Sequence, residues 1–126
     1  VKILIVDDSH DVLDVLELLL AEKFEILKTP SAREVLQLIV KEKIDLLITD
    51  LNMPEMSGIE LSMELRKGQV NLPIILFTAL DKELAHTLPL TLIKDIHFVG
   101  DKDMNQLMDL VQNVSKRYTL PFGTKE

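Results

Sequence analysis

Several residues able to do chemistry follow directly on short apolar runs. Lys2-Ile3-Leu4-Ile5-Val6 leads into Asp7-Asp8, and Ile44-Asp45-Leu46-Leu47-Ile48 leads into Thr49-Asp50. Pro73-Ile74-Ile75-Leu76-Phe77 is followed by Thr78-Ala79, and Ile96-His97-Phe98-Val99 by Gly100-Asp101-Lys102-Asp103. Three carboxylates in one place repel one another, so without a cation some are driven to protonate. A hard divalent ion with oxygen preference, such as Mg²⁺, would hold them ionised, and its usual partner is a phosphate. An Asp can also be the nucleophile itself, through an acyl phosphate. The Thr78 hydroxyl can donate to a phosphoryl oxygen, and Lys102 can act as a point charge on the same group. Ala79 leaves open space beside Thr78. Each residue taken singly has a plainer reading: an Asp after a strand as a cap or solvated turn residue, Thr78 as a capping hydroxyl, Lys102 as one more charge in a polar loop. What favours chemistry is that four of five strands end in the groups that Mg²⁺-assisted phosphoryl transfer requires. His10, His86 and His97 show no metal-ligand spacing and are assigned no role.

Those groups meet only if the strands that carry them end at one edge. Phe24-Glu25-Ile26-Leu27-Lys28 completes a set of five strands and, being more polar, belongs at an edge. Between the strands the apolar residues fall at helical spacing. Asp11 to Glu22 places Val12, Leu13, Leu16, Leu19 and Leu20 on one face, with Ser9 as N-cap. Ser31 and Glu34 fit a capping box ahead of Val35, Leu38 and Ile39. Gly58 to Lys67 aligns Ile59, Met63 and Arg66, with Gly68 as its stop. Met104, Leu107, Met108, Val111 and Val114 form one stripe of a last helix that Pro121 should end. Leu84 and Leu88 suggest a further helix between Leu80 and Asp95, shortened or bent at Pro89.

Alternating β and α units of this number predict an α/β fold, an open doubly wound five-stranded parallel sheet with five helices. About eight units would be needed for a closed barrel. Ligands bind such sheets beyond the carboxyl ends of the strands, where the strand order reverses. In the order 2-1-3-4-5, strands one and three flank that point, and Asp7, Asp8 and Asp50 converge on it. One domain over residues 1–120 is expected, with 121–126 as a polar tail or the start of a linker.

Composition narrows the function further. The chain has 126 residues, 14 Lys and Arg against 21 Asp and Glu, a formal net charge of −7, and no Cys. Such a charge repels a phosphate backbone, so direct nucleic-acid binding is not expected. Lack of cysteine excludes thiolate metal sites, thiol nucleophiles and disulfides. No apolar stretch approaches the ~18 residues of a membrane span, and no signal-peptide pattern opens the chain. A cytoplasmic domain is expected. The chain begins at Val1, as a trimmed protein or a segment of a longer one would.

Over residues 2 to 117 the chain resembles the receiver domains of two-component response regulators, of the chemotaxis-regulator (CheY-like, flavodoxin-like) type. Asp50-Leu51-Asn52-Met53-Pro54-Glu55-Met56-Ser57-Gly58 is similar to the family's D-x-x-M-P-x-M-x-G segment. Val6-Asp7-Asp8-Ser9 resembles its acidic pair after strand one, and Phe77-Thr78-Ala79 its strand-four switch. The resemblance implies that Asp50 accepts a phosphoryl group from a sensor histidine kinase or phosphotransfer protein, in a phosphorelay. It also implies Mg²⁺ held by Asp8, Asp50 and the backbone carbonyl of Asn52, with Asp7 acting through water. Thr78 would move toward the phosphoryl group and Lys102 would pair with it. Such a domain is a signalling switch that catalyses its own phosphorylation and slow dephosphorylation, not a turnover enzyme. Its readout would be a downstream output domain or target protein, with a candidate homodimer surface on the fourth helix, fifth strand and fifth helix. Leu84, Leu88, Leu90 and Leu92 are either ordinary core or part of that surface.

The chain departs from the family pattern at several points. Asp103 stands where the family usually has Pro after the lysine, Asp101 precedes the lysine, and the interval from Thr78 is slightly long, which leaves Lys94 as an alternative. Val99 occupies the usual place of the strand-five aromatic, with Phe98 beside it. These surroundings are the support for a second reading, a phosphorylation-independent pseudo-receiver. A third, an enzyme or flavin carrier on the same architecture, lacks the expected motifs: Ser9 and His10 stand where an aspartate phosphohydrolase wants its second Asp. Leu80 replaces a residue that is often polar in the family and helps to position hydrolytic water. Leu80→Glu is therefore expected to shorten the phosphoryl lifetime, measured as loss of phosphoprotein after the donor is removed; an unchanged lifetime would count against this.

Overall fold

The computed structural model describes residues 1–81, 83, 88 and 93–123, with side chains as far as residue 116. Five strands, β1 (Lys2–Val6), β2 (Glu25–Thr29), β3 (Leu46–Thr49), β4 (Ile74–Phe77) and β5 (Ile96–Val99), form one parallel sheet in the order β2-β1-β3-β4-β5. Four helices are seen among the described residues: α1 (His10–Leu20), α2 (Arg33–Glu42), α3 (Gly58–Lys67) and α4 (Met104–Gly123). The expected helix between Leu80 and Asp95 falls largely outside the described residues, as do Leu84, Leu90 and Leu92.

Alternation along the strands builds two cores. Ile3, Ile5, Leu46, Ile48, Ile75 and Phe77 face Leu13, Leu16 and Leu20 of α1 and Leu107, Val111 and Val114 of α4. Leu4, Val6, Leu47, Ile74 and Leu76 face the other way, toward Val35 of α2 and Leu61 and Leu65 of α3. Because both faces are covered, β1, β3 and β4 are apolar at nearly every position, whereas the edge strand β2 is only partly buried.

Local expectations fared unevenly. Ser9 caps α1 by accepting from the Val12 N–H at 3.3 Å. Ser31 makes no capping box with Glu34: the Glu34 carboxylate accepts from the Thr29 hydroxyl instead, and the N-cap of α2 is Ala32. The capping box belongs to α3, where Ser57 and Glu60 bond each other's backbone N–H groups at 3.0 and 2.9 Å. Nor does α3 bury the row of Ile59, Met63 and Arg66. It buries Gly58, Leu61, Ser62 and Leu65, and the Ser62 hydroxyl is satisfied by the Gly58 carbonyl at 2.7 Å. Pro121 does not end α4, which runs on to Gly123. In the last turn a missing N–H forfeits a single backbone hydrogen bond, a smaller loss than in a helix interior.

Gly58 sets how closely α3 approaches β3. Its N–H donates to the Leu51 carbonyl at 2.7 Å, and a Cβ there would lie 2.4 Å from the Asp50 carbonyl oxygen and 3.0 Å from Leu76 Cδ2. The neighbour is backbone and cannot swing aside. Gly58→Ala should therefore destabilise the domain by about 2 kcal/mol through enforced displacement, read as a lowered urea midpoint; an unchanged midpoint would show that the loop relaxes freely.

Candidate functional site

The carboxyl ends of β1 and β3 bring Asp7, Asp8 and Asp50 together, each offering an oxygen within 4.8 Å of the others. Asp7 is buried, Asp50 is partly buried and Asp8 is exposed, so the cluster opens to solvent on one side. Both Asp7 oxygens are engaged: Oδ1 accepts from the Ser9 N–H at 2.9 Å, and Oδ2 accepts from Lys102 Nζ at 2.8 Å. Asp50 Oδ1 accepts a long contact, 3.5 Å, from the Asn52 N–H. Burial pushes the Asp50 carboxyl above the usual carboxylate range, and the nearby Asp7 charge adds to this. Lys102 and the N–H groups of Asn52 and Leu51 act in the opposite direction.

Thr78 and Lys102 are joined through the backbone. The Thr78 N–H donates to the Val99 carbonyl at 3.0 Å, continuing the β4–β5 ladder, and the Thr78 carbonyl accepts from the Lys102 N–H at 2.8 Å. Thr78 is buried, with its hydroxyl accepting from the Leu80 N–H at 3.3 Å. Asp101 and Lys102 both take left-handed backbone angles, φ 57° and 47°. This turn directs the lysine back over the sheet. Asp103 Oδ1 accepts from the Gln106 N–H at 3.1 Å, so it serves the start of α4. Lys94 precedes β5, at the opposite end from the carboxylates, and its carbonyl accepts from the Arg66 guanidinium at 2.6 Å. The lysine that reaches the pocket is Lys102.

Sequence reasoning missed two features. Ser31 donates to Glu55 at 3.0 Å and Arg33 lies 3.6 Å from the same carboxylate, which ties the β2–α2 connection to the segment after Asp50. The Lys102 ammonium also sits over the Phe77 ring, 4.8 Å from its centroid. No local pattern announces either contact, because their partners are distant in sequence.

Residues 3–92 match the family described as the response regulator receiver domain. The chain belongs to that family. It is 35% identical over 126 residues to the regulatory protein VanR of Enterococcus faecium, covering 99% of this chain and 54% of that protein. It is 33% identical to the alkaline phosphatase synthesis transcriptional regulatory protein PhoP of Bacillus subtilis, covering 99% and 52%. The chain thus spans about half the length of these relatives. Among solved structures it is similar to a Francisella response regulator receiver domain, with 26% identity, TM-score 0.82 and coverage of 93% and 98%. It is also similar to the response regulator TrrA of Thermotoga maritima, solved in complex with Mg(2+)-BeF, with 30% identity, TM-score 0.76 and coverage of 90% and 97%. The receiver is a signalling switch with the doubly wound order expected from the sequence. The pseudo-receiver reading rested on the surroundings of Lys102, and the 2.8 Å contact with Asp7 removes that support. Among the described residues no helix is long and apolar enough to cross a membrane.

A raised carboxyl value in the fold has a defined sign. The folded receiver binds a proton at Asp50 more tightly than the unfolded chain does, so this group's contribution to stability is lost as pH rises through the window above the unfolded Asp value. Without divalent ions, Asp50→Asn should therefore be more stable than the unsubstituted receiver at neutral pH, with the gap closing as the pH is lowered below the carboxylate range. Urea titrations at several pH values check this. A gap that widened toward acid would have the wrong sign.

Proposed function

We propose that Asp50 is the phosphoryl acceptor of this receiver and that Asp7, Asp8 and Asp50, with the carbonyl of Asn52, hold Mg²⁺. The observation that carries the reading is the three-carboxylate cluster with Lys102 already paired to its buried member. The donor set fits the ion. It is made of hard oxygen ligands, and the exposed Asp8 side leaves room for the waters that Mg²⁺ retains. When bound, the ion supplies charge neutralisation on the incoming phosphoryl oxygens.

The remaining steps fall to residues of the chain. An Asp50 carboxylate oxygen forms the new bond to phosphorus while the bond from phosphorus to the donor's nitrogen breaks in line, and the electron pair leaves with the donor imidazole. Asp50 has to be ionised for this attack, and Lys102 favours that form. Thr78, at the end of β4, would turn its hydroxyl from the Leu80 N–H to a phosphoryl oxygen, and Lys102 would shift from Asp7 toward the same group. Breaking the hydrogen bond at Leu80 and the ion pair at Asp7 gives the β4 and β5 ends two alternative arrangements, as a switch requires.

The donor would be a histidine kinase or phosphotransfer protein in the cytoplasm, and the readout an output domain or a target protein. The surface carrying β5 and α4 is the candidate contact, including a homodimer contact. Incubation with Mg²⁺ and acetyl phosphate should add one phosphoryl mass to the unsubstituted receiver and none to Asp50→Ala. Modification of Asp50→Ala to the same extent would place the acceptor elsewhere, and no modification under any donor would sink the reading.

A further inference from the structure

We propose that Phe77 is a positioning residue for the site's lysine, holding the Lys102 ammonium at the pocket through the face of its ring. This rests on the phosphoryl-acceptor reading of the pocket and adds a residue to it. Phe77 is the last residue of β4 and its side chain is 1% exposed, in the same core cluster as Leu13, Val99 and Leu107. The ring is immobilised by packing, and its face is largely dry. Lys102 Nζ lies 4.8 Å from the ring centroid, 3.3 Å from the Phe77 carbonyl oxygen and 2.8 Å from Asp7 Oδ2. A cation over an aromatic face within about 6 Å is attracted by the ring quadrupole, most strongly where water is excluded.

The turn at Asp101 and Lys102 brings the lysine back over the sheet, but it does not fix where the end of the side chain rests. Lys102 has a flexible stem, Asp101 and Asp103 stand on either side, and Asp8 offers an exposed carboxylate near the pocket. Any of these could draw the ammonium away from the place where it meets both Asp7 and an incoming phosphoryl group. The ring and the carbonyl of one residue hold it from one side while Asp7 holds it from the other. Val99, where the family resemblance leads one to expect an aromatic, is an aliphatic core residue, and the aromatic that touches the site's machinery comes from β4.

The test separates ring electronics from packing. Phenylalanine analogues with progressively more ring fluorines, placed at position 77 alone, keep the ring's shape while draining its negative face. The rate of Mg²⁺-dependent phosphorylation by acetyl phosphate should fall stepwise along the series, reaching about 3- to 30-fold, while the unfolding midpoint stays constant. Phe77→Leu should show the full loss. In parallel, the Lys102 ε-methylene protons should be shifted upfield by the ring in the NMR spectrum of the unsubstituted receiver, and that shift should vanish in Phe77→Leu. A flat fluorine series, or unshifted ε-methylene protons in the unsubstituted receiver, would overturn the proposal. Should no donor, acetyl phosphate included, modify the unsubstituted receiver, the acceptor reading falls, while the NMR comparison still decides where the ring holds the lysine.

Discussion

Mutual repulsion among three carboxylates is the constraint around which this receiver is arranged. Asp7 is nearly inaccessible to water, and a buried charge without a partner would cost several kcal/mol. Its partner lies 95 residues away in sequence. The strands β1 and β5 are three positions apart in the sheet, roughly 14 Å at ordinary strand spacing, so Lys102 has to reach back across the ends of β3 and β4. Two consecutive left-handed residues, Asp101 and Lys102, turn the chain that way, and the Thr78 carbonyl fixes the turn by accepting from the Lys102 N–H. The ion pair, the turn and the position of Thr78 are therefore one linked arrangement.

Asp50 stands on the other side of the same balance. It is partly desolvated and close to a fixed negative charge, which Lys102 and the N–H groups of Asn52 and Leu51 offset only in part, and its carboxyl is held less comfortably ionised than an exposed Asp would be. A group kept in this condition is relieved by anything positive that enters the pocket. Backbone geometry keeps it there: α3 closes to within contact of the Asp50 carbonyl because Gly58 has no side chain, and Ser57 and Glu60 cap that helix at the point of approach. The segment between, residues 51–57, is tied sideways by Glu55 to Ser31 and Arg33.

Much of this was legible in the sequence. Apolar runs mark β1, β3 and β4 because both faces of the sheet are covered there, so nearly every side chain of these strands has to be apolar, while the edge strand β2 shows as a more polar stretch. Placing Asp7, Asp8, Asp50, Thr78 and Lys102 at one edge needed only the βα alternation and the handedness of its crossovers. Helix faces are less legible. In α3 a polar Ser62 lies on the buried side and satisfies itself on the Gly58 carbonyl, which defeats a reading based on hydrophobicity alone. Ser31 and Glu34 have the spacing of a capping box, as Ser57 and Glu60 do, but the Thr29 hydroxyl engages Glu34, so only the box at Ser57 forms.

The sequence by itself determined the family, the order of elements and which residue types stand at the strand ends, since those follow from local periodicity and short contiguous motifs. Only the tertiary structure decided which lysine reaches the carboxylates, that Phe77 lies beneath its ammonium, and which face of α3 is buried. These depend on distances between segments far apart along the chain. Periodicity places a residue on an element, but the packing of that element against its neighbours decides what the side chain meets.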